Sequence, residues 1–170
     1  MFKRIKLRIQ DMKTISKLIS GADKQANVRG EEEPGAEHYL LSALDLPEGS
    51  AKRVFERIGI DPNKLNDAIG KQYSEALKAI GIDADSIDFE AEPMKTERMF
   101  HNSKPSGQAV MKELYALKKK DKKKPLLGAH VIGVVASMEH GVAARALREM
   151  GVEQAAITKA VNDELESFQC

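Results

Sequence analysis

Gly49-Ser50-Ala51-Lys52-Arg53-Val54-Phe55-Glu56-Arg57-Ile58-Gly59-Ile60 returns later in the chain as Gly141-Val142-Ala143-Ala144-Arg145-Ala146-Leu147-Arg148-Glu149-Met150-Gly151-Val152. The offset between the two stretches is 92 residues, from 49 to 141, and it holds without a gap in both directions. Upstream, His38 falls on His130, and Leu40 and Leu44 fall on Ile132 and Ala136. Downstream, Leu65 and Ile69 fall on Ile157 and Val161. A register kept this long, with apolar positions meeting apolar positions and glycines meeting glycines, marks two copies of one unit.

Each copy reads as helical. Val54, Phe55 and Ile58 follow Ala51 at i+3, i+4 and i+7, the spacing of one helix face. Gly59 and Gly151 stand where a helix end needs a left-handed residue, and Asp61-Pro62 has the form of a cap followed by a first-turn proline. A long apolar stripe then runs from Leu65 to Ile80, and its equivalent runs from about Glu153 to Phe168. A further helix precedes each pair, near Met12–Ala26 in the first copy and near Pro105–Leu117 in the second. The expectation is an all-α fold of two pseudo-twofold-related four-helix repeats, at about 10–81 and 103–168. The Asp- and Glu-rich stretch at about 82–102 reads as an acidic linker, pinned by Ile87, Phe89 and Met94. Ile5, Leu7 and Ile9 alternate, which suits a short N-terminal arm or a strand.

Composition narrows the function classes. With 27 basic against 26 acidic residues the net charge is +1, which argues against a dedicated nucleic-acid binder. No apolar run is long enough for a membrane span, and Lys and Arg interrupt the N-terminal apolar residues as no signal peptide would allow. Cys170 is the single cysteine, so no internal disulfide framework forms. A cytoplasmic location is the expectation. Phosphate-cradling Gly-x-x-x-x-Gly-Lys-Ser/Thr is missing from the sequence, so ATP hydrolysis of that type is not expected.

Ala36-Glu37-His38-Tyr39-Leu40-Leu41, followed by Pro47-Glu48-Gly49-Ser50-Ala51 and Ile58-Gly59-Ile60-Asp61, resembles the first repeat of the Clp N-terminal domain. That module precedes the ATPase rings of bacterial Clp unfoldases. Its usual signature reads Gly-Thr-Glu-His-Leu-Leu, a Gly-x-Ala helix and then Leu-Gly-Val-Asp. Gly128-Ala129-His130 through Met150-Gly151-Val152 resembles the second repeat, and Met1-Phe2 before a basic residue is similar to the family's opening. The resemblance implies a non-catalytic protein-binding module of the Clp proteolytic system. Such a module receives substrate or adaptor proteins, or binds the unfoldase or protease itself. In some relatives the motif's Glu, in each repeat, helps recognise phosphorylated arginine. Here Glu37 is kept, but Ala36 replaces the Thr, and Gly128-Ala129 leaves the second repeat without hydroxyl or carboxylate. A guanidinium needs that carboxylate for a bidentate pair.

The remaining candidates are charge runs. Glu31, Glu32 and Glu33 precede Pro34, while Lys118, Lys119, Lys120, Lys122, Lys123 and Lys124 surround Asp121. The offset puts Glu31 and Glu32 on Lys123 and Lys124, so equivalent loops carry opposite charge. They are either solvated connections or, with Glu37, a protein-docking surface. The repeated His38 and His130 read as packing or capping residues. His101 and His140 lack metal-ligand spacing, so no metal and no cofactor is expected. Ser42, Ser50 and Ser106 have no base nearby in sequence, and no catalytic residue is assigned. Other readings are an N-terminal piece of a Clp ATPase subunit, or a helical protein of unrelated function, whether nucleic-acid binder or enzyme. The lysine run has no interleaved aromatic to stack on bases, which disfavours nucleic acid.

Overall fold

The computed structural model describes residues 2–82 and 103–168, and these form eight α-helices with no strand among them. In chain order they are α1 (Phe2–Val28), α2 (Ala36–Leu44), α3 (Ser50–Arg57), α4 (Lys64–Ala79), α5 (Pro105–Lys120), α6 (Gly128–Ala136), α7 (Val142–Glu149) and α8 (Gln154–Ser167). Shifting α2 and α3 by the 92-residue offset lands on the ends of α6 and α7. The C-terminal part of α1, from Lys13, lands on α5. The linker expected at 82–102 lies outside the described residues apart from Ile82.

The ends of α3 and α7 close in the same way. Gly59 and Gly151 have φ of +69° and +74°. The following N–H reaches five residues back, from Ile60 to the carbonyl of Phe55 at 3.1 Å and from Val152 to that of Leu147 at 3.0 Å. This 6→1 bond with a left-handed residue is the terminator the glycines suggest. Asp61 and Pro62 are not the cap and first turn of α4, because Asn63 holds the cap position and the helix begins at Lys64; the Asp61 carboxylate instead accepts the Asn63 N–H at 2.9 Å in the turn before it.

The two sequence repeats do not form two separate bundles. α2 and α6 lie against each other at the centre, α4 packs on α7, and α8 packs on α3. The last helix of each repeat therefore covers the third helix of the other. All nine residues of α2 are buried. Leu40, Leu44, Val54, Phe55, Leu65, Ile132, Ala146, Leu147 and Ile157 are core residues as the register requires. Ile58, Ala136 and Met150 are only partly buried at its margin.

Two further expectations need correction. The N-terminal residues are neither a strand nor an irregular arm, because α1 is helical from Phe2. Phe2, Ile5, Ile9 and Met12 also fit helical spacing, and no Gly or Pro interrupts the Lys, Arg, Leu and Gln between them, which are good helix formers. Second, α5 continues through Lys120 rather than ending near Leu117. Lys118, Lys119 and Lys120 are thus its last turn, where cations face the negative end of the helix dipole.

Candidate binding surfaces

The α2 N-terminus gathers the most polar chemistry. Gly35 precedes the helix, and its backbone N–H is accepted by His38 Nδ1 at 2.9 Å. His130 repeats the device at α6, accepting the Leu127 N–H at 3.1 Å. Both histidines cap their own helix from its third position, a role in which Glu or Gln is usual. With Nδ1 accepting, the neutral ring carries its proton on Nε2. In His38 that atom is buried and has no hydrogen-bond partner among the described residues. Burial lowers the pKa of His38, against the opposing pull of the Glu37 and Glu31 carboxylates. Burial lowers that of His130 too.

Glu37 is buried, with 3% of its surface exposed. Its carboxylate folds back over the helix start, where a Cβ on Gly35 would meet both oxygens at 2.8 Å. The Tyr73 hydroxyl donates to Glu37 Oε1 at 2.5 Å. Burial, with that bond to a carboxylate, pushes the phenol far above its ordinary pKa. Glu31 pairs with Lys104, whose ammonium stands 5.9 Å from the Tyr73 ring centroid. Glu31, Glu37 and His38 come close enough to suggest a metal site. However, Tyr73 and Lys104 already serve the two carboxylates, and the Gly35 N–H occupies His38 Nδ1. An incoming guanidinium would likewise have to displace Tyr73 to reach Glu37.

At α6 the arrangement differs. Ala129 stands in the place of Glu37, and the missing carboxylate is supplied from the other repeat. Glu48 accepts the Gly128 N–H on Oε1 at 2.6 Å and the Ser50 N–H on Oε2 at 2.7 Å, and Ser50 Oγ accepts the Ala129 N–H at 2.9 Å. A Cβ on Gly128 would meet the Ala43 carbonyl oxygen at 3.0 Å, so the close approach that brings Glu48 to this helix start leaves little room for one. In the other direction, Ser106 Oγ accepts the Ala36 N–H of α2 at 3.1 Å. Ser42 donates to the Leu18 carbonyl at 2.9 Å. All three serines are structural bridges.

The two charge runs do not meet. Glu31 holds the start of α5 through Lys104, while Lys118 to Lys124 occupy its far end, and 14 helical residues span about 21 Å. Glu32 and Glu33 are exposed. Lys118 is committed within the fold, pairing with the buried Asp11 at 2.8 Å. Asp11 also accepts the Leu126 N–H at 2.8 Å. Lys119 and Lys120 at the end of α5 are exposed, as are Lys122, Lys123 and Lys124 in the following turn, where Asp121 accepts the Lys123 N–H at 3.0 Å.

Sequence reasoning missed an ion cluster between repeats, centred on a buried carboxylate. Glu164 on α8 is 1% exposed and accepts from Arg53 Nε at 2.6 Å and Arg57 Nε at 3.0 Å. The offset relates these residues to Arg145, Glu149 and Gln72, which also meet. Arg145 Nε donates to Gln72 Oε1 at 3.0 Å, and Gln72 Nε2 donates to Glu149 Oε2 at 2.8 Å.

Comparison with known proteins agrees with this architecture. The crystal structure of the N-terminal domain of the caseinolytic protease associated chaperone ClpD from Arabidopsis thaliana matches over 92% of each chain. The TM-score is 0.58 and the identity 17%, a likeness of fold alone. The chloroplastic chaperone protein ClpC1 of Oryza sativa subsp. japonica is 36% identical over 58 residues. These are 34% of this chain, which spans only 6% of that protein. The family described as the Clp repeat (R) N-terminal domain matches residues 13–104, more than half of the chain. The offset repeat, the eight-helix architecture and this match together establish that the chain belongs to the Clp repeat N-terminal domain family.

Proposed function

We propose that this chain is a non-catalytic protein-binding module of the Clp proteolytic system, receiving substrate or adaptor proteins or docking on the unfoldase or protease itself. Membership of the Clp repeat family carries this reading. Among the described residues, the polar groups at the two central helix starts cap those helices and bridge the repeats. The exposed lysines after Lys118 and the exposed Glu32 and Glu33 are the surfaces offered to such a partner, with their charge steering the encounter. No helix among the described residues is long and apolar enough to cross a membrane, and the cytoplasm is the proposed location. The 6% coverage of ClpC1 favours a second reading, that the sequence is the N-terminal piece of a Clp ATPase subunit. In that case the same module serves the attached ring.

Biolayer interferometry with the immobilised chain tests the proposal, using a purified Clp ATPase, its protease and an unfolded model substrate as analytes. Saturable binding to at least one, reversed by excess free chain, is the expected result. Absence of binding to all three would overturn it.

A further inference from the structure

Two apolar features of this molecule lie open among the described residues, and their charged surroundings are complementary. The first is the N-terminal part of α1, which extends ahead of the family-matched span beginning at residue 13. Phe2, Ile5, Ile9 and Met12, at intervals of three, four and three, form one helical stripe. They are 82%, 49%, 49% and 70% exposed. Lys3, Arg4, Lys6 and Arg8 lie among them, with no acidic residue before Asp11. The base of this extension is fixed, because Asp11 is held by Leu126 and Lys118.

The second feature is a cleft of about 380 Å³ between α6, α7 and α8, with Ala136, Leu147, Val152 and Ile157 among its apolar lining. Glu139 and Glu153 contribute acidic groups to it. Arg148 also lines it, donating to the Glu139 carbonyl oxygen at 3.1 Å and keeping its charge, so the lining holds two acidic groups against one basic group. The cleft is within the size range of sites that take an apolar group.

We propose that the N-terminal turns of α1 from one copy dock their apolar stripe in the α6–α7–α8 cleft of a second copy, with the basic flanks facing Glu139 and Glu153. This is helix-in-groove recognition, with apolar anchors at helical spacing and charges fixing orientation. A tip-to-tip contact would set four basic residues against four others. A membrane is a poorer occupant, since the stripe has four side chains, two of them already half covered, and a single small anchor gives only marginal attachment. The contact is heterologous, tip to cleft, so each open assembly keeps one free tip at one end and one free cleft at the other until a ring closes. The proposal does not rest on the Clp function proposed above.

Sedimentation velocity of the full chain tests it. Average mass rises with concentration at about 0.05 M salt and falls at about 0.5 M, where screening shortens electrostatic reach. Ile5→Ser/Ile9→Ser and Glu139→Lys/Glu153→Lys, each still folded by circular dichroism and thermal melting, raise the dissociation constant at least tenfold. Mixed together, the two variants restore one junction and give a heterodimer and nothing larger. A monomer at every concentration overturns the proposal. Continued self-association of the Glu139→Lys/Glu153→Lys variant overturns it in favour of tip-to-tip pairing. Binding to phosphatidylserine vesicles by a chain that stays monomeric overturns it in favour of a lipid surface.

Discussion

Glu164 and Gln72 occupy equivalent positions of the two repeats, yet one is a buried carboxylate and the other a neutral amide. Glu164 lies between two arginines of α3. Gln72 lies between Arg145 and Glu149 of α7, accepting from one and donating to the other. An ionised carboxylate only accepts, so it suits two cationic donors, whereas an amide offers both functions and suits one cation and one anion. Where the first set has a second arginine and a central carboxylate, the other has Glu149 and Gln72. One backbone slot thus carries two different polar solutions, each satisfied only as a set.

The apolar centres of the same helices set the scale. Phe55 and Leu147 are equivalent, 0% and 4% exposed. Phe55→Ala is expected to lower stability by about 3–5 kcal/mol and Leu147→Ala by about 2–5 kcal/mol, transfer and cavity costs together. Urea unfolding measures both. A loss below about 1 kcal/mol at either position would show that its repeat is not part of the cooperative core.

Exchanging the polar sets comes next in size. Glu164→Gln leaves two arginines around an amide with one acceptor oxygen, and Arg57→Glu sets a second carboxylate near Glu164. The arginine side chains are 41% and 39% exposed, so water moderates both losses, and each is expected at about 1–2 kcal/mol. The double substitution rebuilds the pattern of the other repeat. It should recover about 1 kcal/mol relative to the sum of the singles in a double-mutant cycle. Strict additivity would mean that the two clusters do not share one geometry.

The ease of reading the fold and the difficulty of reading these clusters have a common cause. Apolar periodicity and terminating glycines are local, so the repeat was legible in the sequence, and in the structure the offset of 92 carries α2 and α3 onto α6 and α7 end for end. The capping role of His38 and His130 was legible for the same reason, because the repeat displays it twice. Glu48 reaching Gly128, Ser106 reaching Ala36 and Arg53 reaching Glu164 join residues 80, 70 and 111 positions apart. The composition of Asn162-Asp163-Glu164-Leu165-Glu166 does not by itself single out Glu164 as buried. The signal that could have found it is helical spacing, since Glu164 follows Ile157, Ala160 and Val161 at i+7, i+4 and i+3 on the buried face of α8. The helical start of α1 was missed because residues 5, 7 and 9 fit period two as well as Phe2, Ile5, Ile9 and Met12 fit a helix.

The two capping histidines differ in burial, and both respond to pH in the same direction. His38 is fully buried, while His130 is partly exposed. Each has a folded pKa below its ordinary value, so the unfolded chain binds the proton more readily. Their contribution to stability is therefore fully present above about pH 6.5 and is lost as pH falls towards the folded pKa. Stability measured between pH 7.5 and pH 5 should decline less in His38→Gln, which keeps an acceptor for the Gly35 N–H but cannot titrate. His130→Gln should flatten the curve in the same direction. Equal slopes for wild type and His38→Gln would remove His38 from the acid response.

The smallest effects distinguish the lysines at the end of α5. Lys118 compensates Asp11, whose side chain is 10% exposed. Lys118→Ala leaves that carboxylate with the Leu126 N–H and partial solvation, an expected loss of about 1 kcal/mol. Lys122→Ala and Lys123→Ala remove solvated charges and should stay within about 0.5 kcal/mol. Raising salt should weaken the Lys118 effect only modestly, because partly buried pairs are screened less than exposed ones. If Lys122→Ala costs as much as Lys118→Ala, the turn is a structural element of the second repeat and not a surface free for a partner. If both are neutral while Asp11→Ala is costly, the Leu126 hydrogen bond alone fixes the base of the α1 extension.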